Sequence, residues 1–149
     1  LKHWRDIACL RWQVHDTLID DDLKDSRGRV NGIVLSAPHS AREALNNDLG
    51  TPEALASIEV ALDAIDSSPT QNIQHSALVS LIEWIDDVLG LGLAKSTPDI
   101  SDDQKRLIIE RQRARDNKDW QKSDELRDSL KLSGIEVRDT ANGSVWSYV

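Results

Sequence analysis

The sequence contains no methionine and no phenylalanine, one cysteine, one tyrosine and four prolines. A single cysteine excludes an internal disulfide and fits a reducing compartment. Cys9 lies in an apolar helical stretch, where it reads as a buried structural thiol. No apolar run approaches the ~20 residues a membrane helix needs, and no basic-then-apolar signal segment opens the chain. A cytoplasmic protein without a membrane partner is expected. Residue 1 is Leu and Met is absent throughout, so the chain reads as a piece of something longer. Also missing are a glycine-rich phosphate loop, a Ser nucleophile elbow and Cys/His pairs at zinc spacing. His3, His15, His39 and His75 are scattered along the chain. Acid pairs such as Asp86–Asp87 and Asp102–Asp103 read as solvated faces or helix-start charges. These absences leave no expected catalytic residue, metal site or cofactor in this chain.

What is present is Leu, Ile, Val and Ala, five Trp, and 30% charged residues, the composition of a soluble, mainly helical protein. The length of 149 residues fits one medium domain or two small ones. A net charge of −8 argues against a nucleic-acid partner until its distribution is considered. Residues 1–100 hold 8 Lys and Arg against 16 Asp and Glu, whereas residues 101–149 hold 10 against 10. In the second part Lys105, Arg106, Arg111, Arg113 and Arg115 form a basic strip broken only by Glu110.

Helical spacing of Ile7, Leu10, Val14 and Leu18, with Trp4 near the same face, predicts a helix over residues 1–23 that frays at Asp20, Asp21 and Asp22. Residues 26–39, with two Gly and one Pro, read as a loop or flap, followed by a short helix over Ala41–Leu45. Thr51 as cap, Pro52 and Glu53 open a helix bearing Leu55, Ile58, Leu62 and Ile65. Ser67, Ser68, Pro69 and Thr70 break it. Ile73, Ala77, Leu81, Ile85 and Val88 mark another helix, which Gly90 ends. The first unit is therefore expected to be an up-and-down helical bundle over residues 1–92, with a linker at 93–101. Ser101 and Gln104 form a capping-box pattern that opens a helix to about Asn117. A second helix spans about Asp119–Ser133 and stops at Gly134. IEVRD and SVWSYV alternate around the turn TANG, giving a β-hairpin. The expected fold is thus mainly α, the bundle being followed by a small helix–helix–β-hairpin (α+β) domain over 102–149.

Within that second unit, Arg111 and Arg115 share a helix face, Trp120 stands at the interhelix junction, Asp124 lies one turn on, and Asp139 ends the first strand. Together they would offer a guanidinium fork, a flat aromatic surface and two carboxylates. An unstacked RNA base calls for such a set, stacked on one face and hydrogen-bonded along its edge. Arg and Asp at these spacings also make surface ion pairs, and a Trp in a short two-helix unit is often its main core residue. The residues by themselves leave both readings open.

The stretch ERQRARDNKDWQKSDELRDSLKLSGIEVRDTANGSVW, residues 110–146, resembles the C-terminal anticodon-binding end of bacterial cysteinyl-tRNA synthetases. That family's pattern there is R-x-A-R-x-x-K-D-W, x-x-x-D-x-x-R-D-x-L, a glycine-ended turn, I-x-[VL]-x-D and a closing G-[TS]-x-W. Upstream, NNDLGTPEAL (46–55) resembles the bundle signature D-D-[FL]-N-T-P-E-A, with Asn47 and Gly50 as departures, and LIEWIDDVLGLGL resembles the late bundle helix more loosely. The resemblance implies a tRNA-binding C-terminal fragment of a cysteine–tRNA ligase, recognising the GCA anticodon of tRNA(Cys). Arg115, Trp120, Asp124 and Asp139 would contact the anticodon, and Arg111, Arg113 and Lys118 would contact phosphates. ATP-dependent aminoacylation, ATP and zinc would belong to a class I catalytic domain whose HIGH and KMSKS signatures are not in this sequence. A monomer that binds no DNA is expected. Where members often end in basic residues, Ser147, Tyr148 and Val149 follow Trp146, which implies weaker phosphate binding. The alternative is a helical protein-interaction module without tRNA readout.

Overall fold

The computed structural model describes residues 1–14, 24–140 and 143–149, with only the backbone of 24–27 and 143. The chain divides into two compact units, Leu1–Ser96 and Thr97–Val149. The expectations for Leu18, His15, Asp20, Asp21 and Asp22, and for the centre of the TANG turn, fall outside the described residues.

The first unit is helical: α1 (Lys2–Cys9) runs into a 3-10 turn (Leu10–Trp12), then come α2 (Lys24–Asn46), α3 (Thr51–Asp66), α4 (His75–Leu89) and a short α5 (Leu93–Ser96). The expected loop at 26–39 and the short helix at 41–45 are corrected by the single helix α2. Val30, Val34, Ala37 and Ala41, spaced four, three and four apart, are all buried, while Gly28 and Gly32 lie on the exposed side. Each glycine costs a helix about 1 kcal/mol relative to Ala, which this buried stripe outweighs. Asn31 also anchors α2. Its Nδ2 donates to the Asn72 carbonyl at 3.0 Å, and its Oδ1 accepts from the Gln74 amide at 2.9 Å. Pro38 sits inside the helix.

The start of α3 also differs from expectation. Gly50, not Thr51, is the cap, and its backbone explains the residue. A Cβ at position 50 would lie 2.9 Å from the Ala44 carbonyl oxygen, which the Gly50 amide approaches to 3.0 Å. Asp48 and Leu49 just before it have positive φ, 57° and 55°. The core of the unit comes from Ile58, Leu62 and Ile65 of α3 and Leu78, Leu81 and Ile85 of α4, whereas Leu55 and Val88 remain partly exposed. Gly90 ends α4 with φ 65°. Asp86 is not merely a solvated acid: its two oxygens accept the Leu93 and Ala94 amides at 2.6 and 2.8 Å, capping α5. Arg11 is buried, donating to the Ala8 and Ala94 carbonyls.

In the second unit, α6 (Asp102–Asp116), α7 (Trp120–Leu132), β1 (Ile135–Thr140) and β2 (Gly143–Tyr148) follow in order. Both halves of the Ser101/Gln104 capping box form. The antiparallel hairpin pairs Val137 with Trp146 and Asp139 with Ser144. Its inner positions Ile135, Val137 and Trp146 are buried with Ala114 of α6 and Leu130 of α7. Gly134, φ 86°, turns α7 into β1, and the Tyr148 hydroxyl donates to the Pro98 carbonyl at 3.0 Å. The molecule is therefore mainly α with one small hairpin. No described helix is long and apolar enough to cross a membrane.

Candidate nucleic-acid interface

Side chains alternate along a strand, so Asp139 continues the inward series Ile135 and Val137 beyond the point where the core ends. The helix α6 supplies what meets it. Only Arg111 and Ala114 of α6 are buried, and Arg115 lies one turn past Arg111. Asp139 Oδ1 and Oδ2 accept from the two terminal nitrogens of Arg111 at 2.9 and 2.7 Å. Arg115 reaches Oδ2 at 2.8 Å, and the Ser144 hydroxyl donates to Oδ1 at 2.7 Å. Four donors thus occupy the four lone-pair positions of one carboxylate. The Arg111 side chain is 2% exposed, and those of Arg115 and Asp139 about a third. Arg111 Nε is buried without a hydrogen-bond partner among the described residues.

The electrostatics follow. Hydrogen bonding from Arg111 holds the Asp139 carboxyl well below the usual carboxylate range, against the opposing effect of burial and with help from Ser144 and Arg115. The same bond to Asp139 raises Arg111, with the charge of Asp124 adding to the rise.

Trp120 is reached through the junction between α6 and α7. There the Lys118 amide donates to the Arg115 carbonyl and the Asp119 amide to the Ala114 carbonyl, the paired bonds of a Schellman helix end. Lys118 takes the left-handed position, φ 60°, that glycine usually fills. The Asp119 carboxylate then accepts from the Lys122 amide and starts α7. Trp120 is its first residue. It is 57% exposed, and the Arg115 guanidinium lies 6.0 Å from its ring centre. The tryptophan of the unit's core is Trp146, not Trp120. Asp124 is exposed and pairs with Arg127 at 3.2 Å.

The structure thus brings Arg111, Arg115 and Asp139 together and sets Trp120 beside Arg115. The expected basic strip is largely neutralised: Lys105 pairs with Asp99 at 2.5 Å and Arg106 with Asp103. Arg111, expected at a phosphate, is turned inward. Arg113 and Lys118 are exposed and have no carboxylate partner among the described residues. Ser144 was missed as a member of the cluster; its place opposite Asp139 in the hairpin register was the available signal. Elsewhere, the histidines are not all isolated. The ligand atoms of His3, Glu59 and Asp63 lie within 4.8 Å of one another, but Glu59 already accepts from Trp4 Nε1 at 2.7 Å, and Asp63 is exposed.

Residues 97–146, nearly the whole second unit, match the cysteinyl-tRNA ligase anticodon binding domain. The chain is 32% identical to the cysteine–tRNA ligase of Campylobacter concisus over 91% of its length and 35% of that relative's. It is 36% identical to that of Aliarcobacter butzleri over 69% of the chain, and 37% identical to that of Renibacterium salmoninarum over 74%. The matches span about a quarter to a third of the relatives' length. Residues 97–146 belong to the cysteinyl-tRNA ligase anticodon-binding domains, and the chain is similar to the C-terminal region of cysteinyl-tRNA synthetases.

Proposed function

We propose that the second unit binds tRNA(Cys) and reads its GCA anticodon. Trp120, Arg115, Asp124 and Asp139 surround the unstacked bases, and Arg113 and Lys118 meet the flanking phosphates. The observation that carries this reading is Trp120, an indole left more than half in solvent on a charged surface with a guanidinium beside it. Such a face stacks a base of any identity. Arg115 spends one nitrogen on Asp139, which leaves other donors of its fork for a base edge. The family of residues 97–146 supports tRNA as the partner. Attachment of cysteine to tRNA, with ATP and zinc, is assigned to a catalytic domain of the kind the resemblance implies. This chain, as a cytoplasmic monomer, contributes binding.

Titration of the chain at low salt with a tRNA transcript bearing GCA, and with one bearing an altered anticodon, tests the reading. The expected result is tighter binding of GCA. Trp120→Ala should weaken both by about 1–3 kcal/mol, one stacked base, while leaving the melting temperature nearly unchanged because the ring is exposed. Equal affinities for the two transcripts would overturn anticodon readout. No binding of either would favour a protein-interaction role.

A further inference from the structure

Arg111 is the most buried charged side chain of the second unit, and both its terminal nitrogens are committed to one carboxylate. A guanidinium so placed reaches a phosphate only by leaving Asp139 and its pocket. We infer that Arg111 is a positioning residue: with Ser144 it fixes the carboxylate plane of Asp139, and through Asp139 the place of Arg115 beside Trp120, without itself touching RNA. The inference rests on the anticodon-binding reading of the same site.

The geometry is that of a two-layer clamp. A two-point bond between guanidinium and carboxylate is planar, so Arg111 sets the orientation of both Asp139 oxygens at once. Ser144, paired across the hairpin with Asp139, fills the outer position on Oδ1. One position then remains on Oδ2, and Arg115 occupies it at 2.8 Å. Arg111 and Arg115 are a turn apart on α6, so their like charges repel unless Asp139 stands between them. Without Arg111 the carboxylate is free to rotate about its own bond, and Arg115 follows it away from the ring of Trp120. The depressed carboxyl of Asp139 agrees with this, since an ionised group is what both guanidinia need. Lysine does not replace arginine here, because an ammonium is a point charge and holds one oxygen rather than a plane.

The test compares the full chain with Arg111→Lys, Ser144→Ala and Arg113→Ala. Each is titrated with the GCA transcript and the altered transcript across a range of salt. For Arg111→Lys, the preference for GCA should fall roughly tenfold, while the salt slope stays as in the parent chain. Ser144→Ala should lose preference in the same direction and less; as a small change at a partly exposed site, it serves if Arg111→Lys does not fold. Arg113→Ala should weaken both RNAs alike and reduce the salt slope by about 1. Two results would overturn the inference. One is an Arg111→Lys chain that weakens both RNAs alike with a shallower slope, which marks a phosphate contact. The other is full preference retained in folded Arg111→Lys, or in Ser144→Ala where that variant must stand in for it. A parent chain with no preference overturns the anticodon reading itself, and the inference with it.

Discussion

Lys118 holds a left-handed backbone at the end of α6, the position where glycine costs least. An L side chain there costs about 1 kcal/mol. Lys118→Gly should therefore raise the urea midpoint. On the proposed function it should also weaken every RNA and lower the salt slope by about 1, so stability and binding would move in opposite directions. Asp139 gives a second residue-scale expectation. Its carboxyl is depressed in the folded chain by the bond from Arg111, so its stabilising contribution is present above the ordinary carboxylate value of about 3.9. That contribution is lost progressively as pH falls below it. Thermal melts of the parent chain and Asp139→Asn should differ most at pH 7, and the gap should narrow progressively between roughly pH 4 and pH 2. A gap that stays constant over that range would contradict the assignment. At this scale the residue types were legible and their partners were not. Arg111 and Arg115 have the same chemistry and the same face. Only the depth of the fold distinguishes the one that is buried from the one that is a third exposed.

Local signals succeeded for elements where they agreed with packing. The Ser101/Gln104 box, the Gly90 stop and the hairpin over 135–149 were read from a few residues each, because caps and tight turns are closed by neighbours in the chain. The failure was α2, where Gly28, Gly32 and Pro38 outweighed a buried stripe in the reading of residues 26–39. In the fold, that stripe and the bonds of Asn31 to residues 72 and 74 decide the matter, and they come from distant parts of the chain. The glycines yield an element-scale prediction. Nothing lies within 4 Å of a Cβ at Gly28 or Gly32, so Ala at either should stabilise by about 0.8–1 kcal/mol in chemical denaturation. Gly50→Ala should destabilise instead, because its Cβ would meet the Ala44 carbonyl.

For the whole molecule, charge and site separate. The acidic excess lies in residues 1–100, and the exposed Trp120, Arg113 and Lys118 lie in the second unit. Addition of the GCA transcript to isotope-labelled chain should therefore shift amide resonances around Arg115, Trp120 and Asp124 and leave the core of residues 1–96 unmoved. Shifts centred on α3 or α4 would instead put the RNA on the first unit and contradict the proposed site, and no shifts at all would favour the protein-interaction alternative. The sequence by itself determined the helical class, the Ser101/Gln104 start, the Gly90 stop, the hairpin and the family resemblance. All of these depend on periodicity or on residues close together in the chain. The tertiary structure alone decided that Trp146 is core while Trp120 faces solvent, and that Arg111 is a buried strut rather than a surface cation. Burial and hydrogen-bond partnership depend on which distant strand arrives beside a helix. Here it is β1, which brings Asp139 to within 3 Å of two guanidinia 24 and 28 residues away.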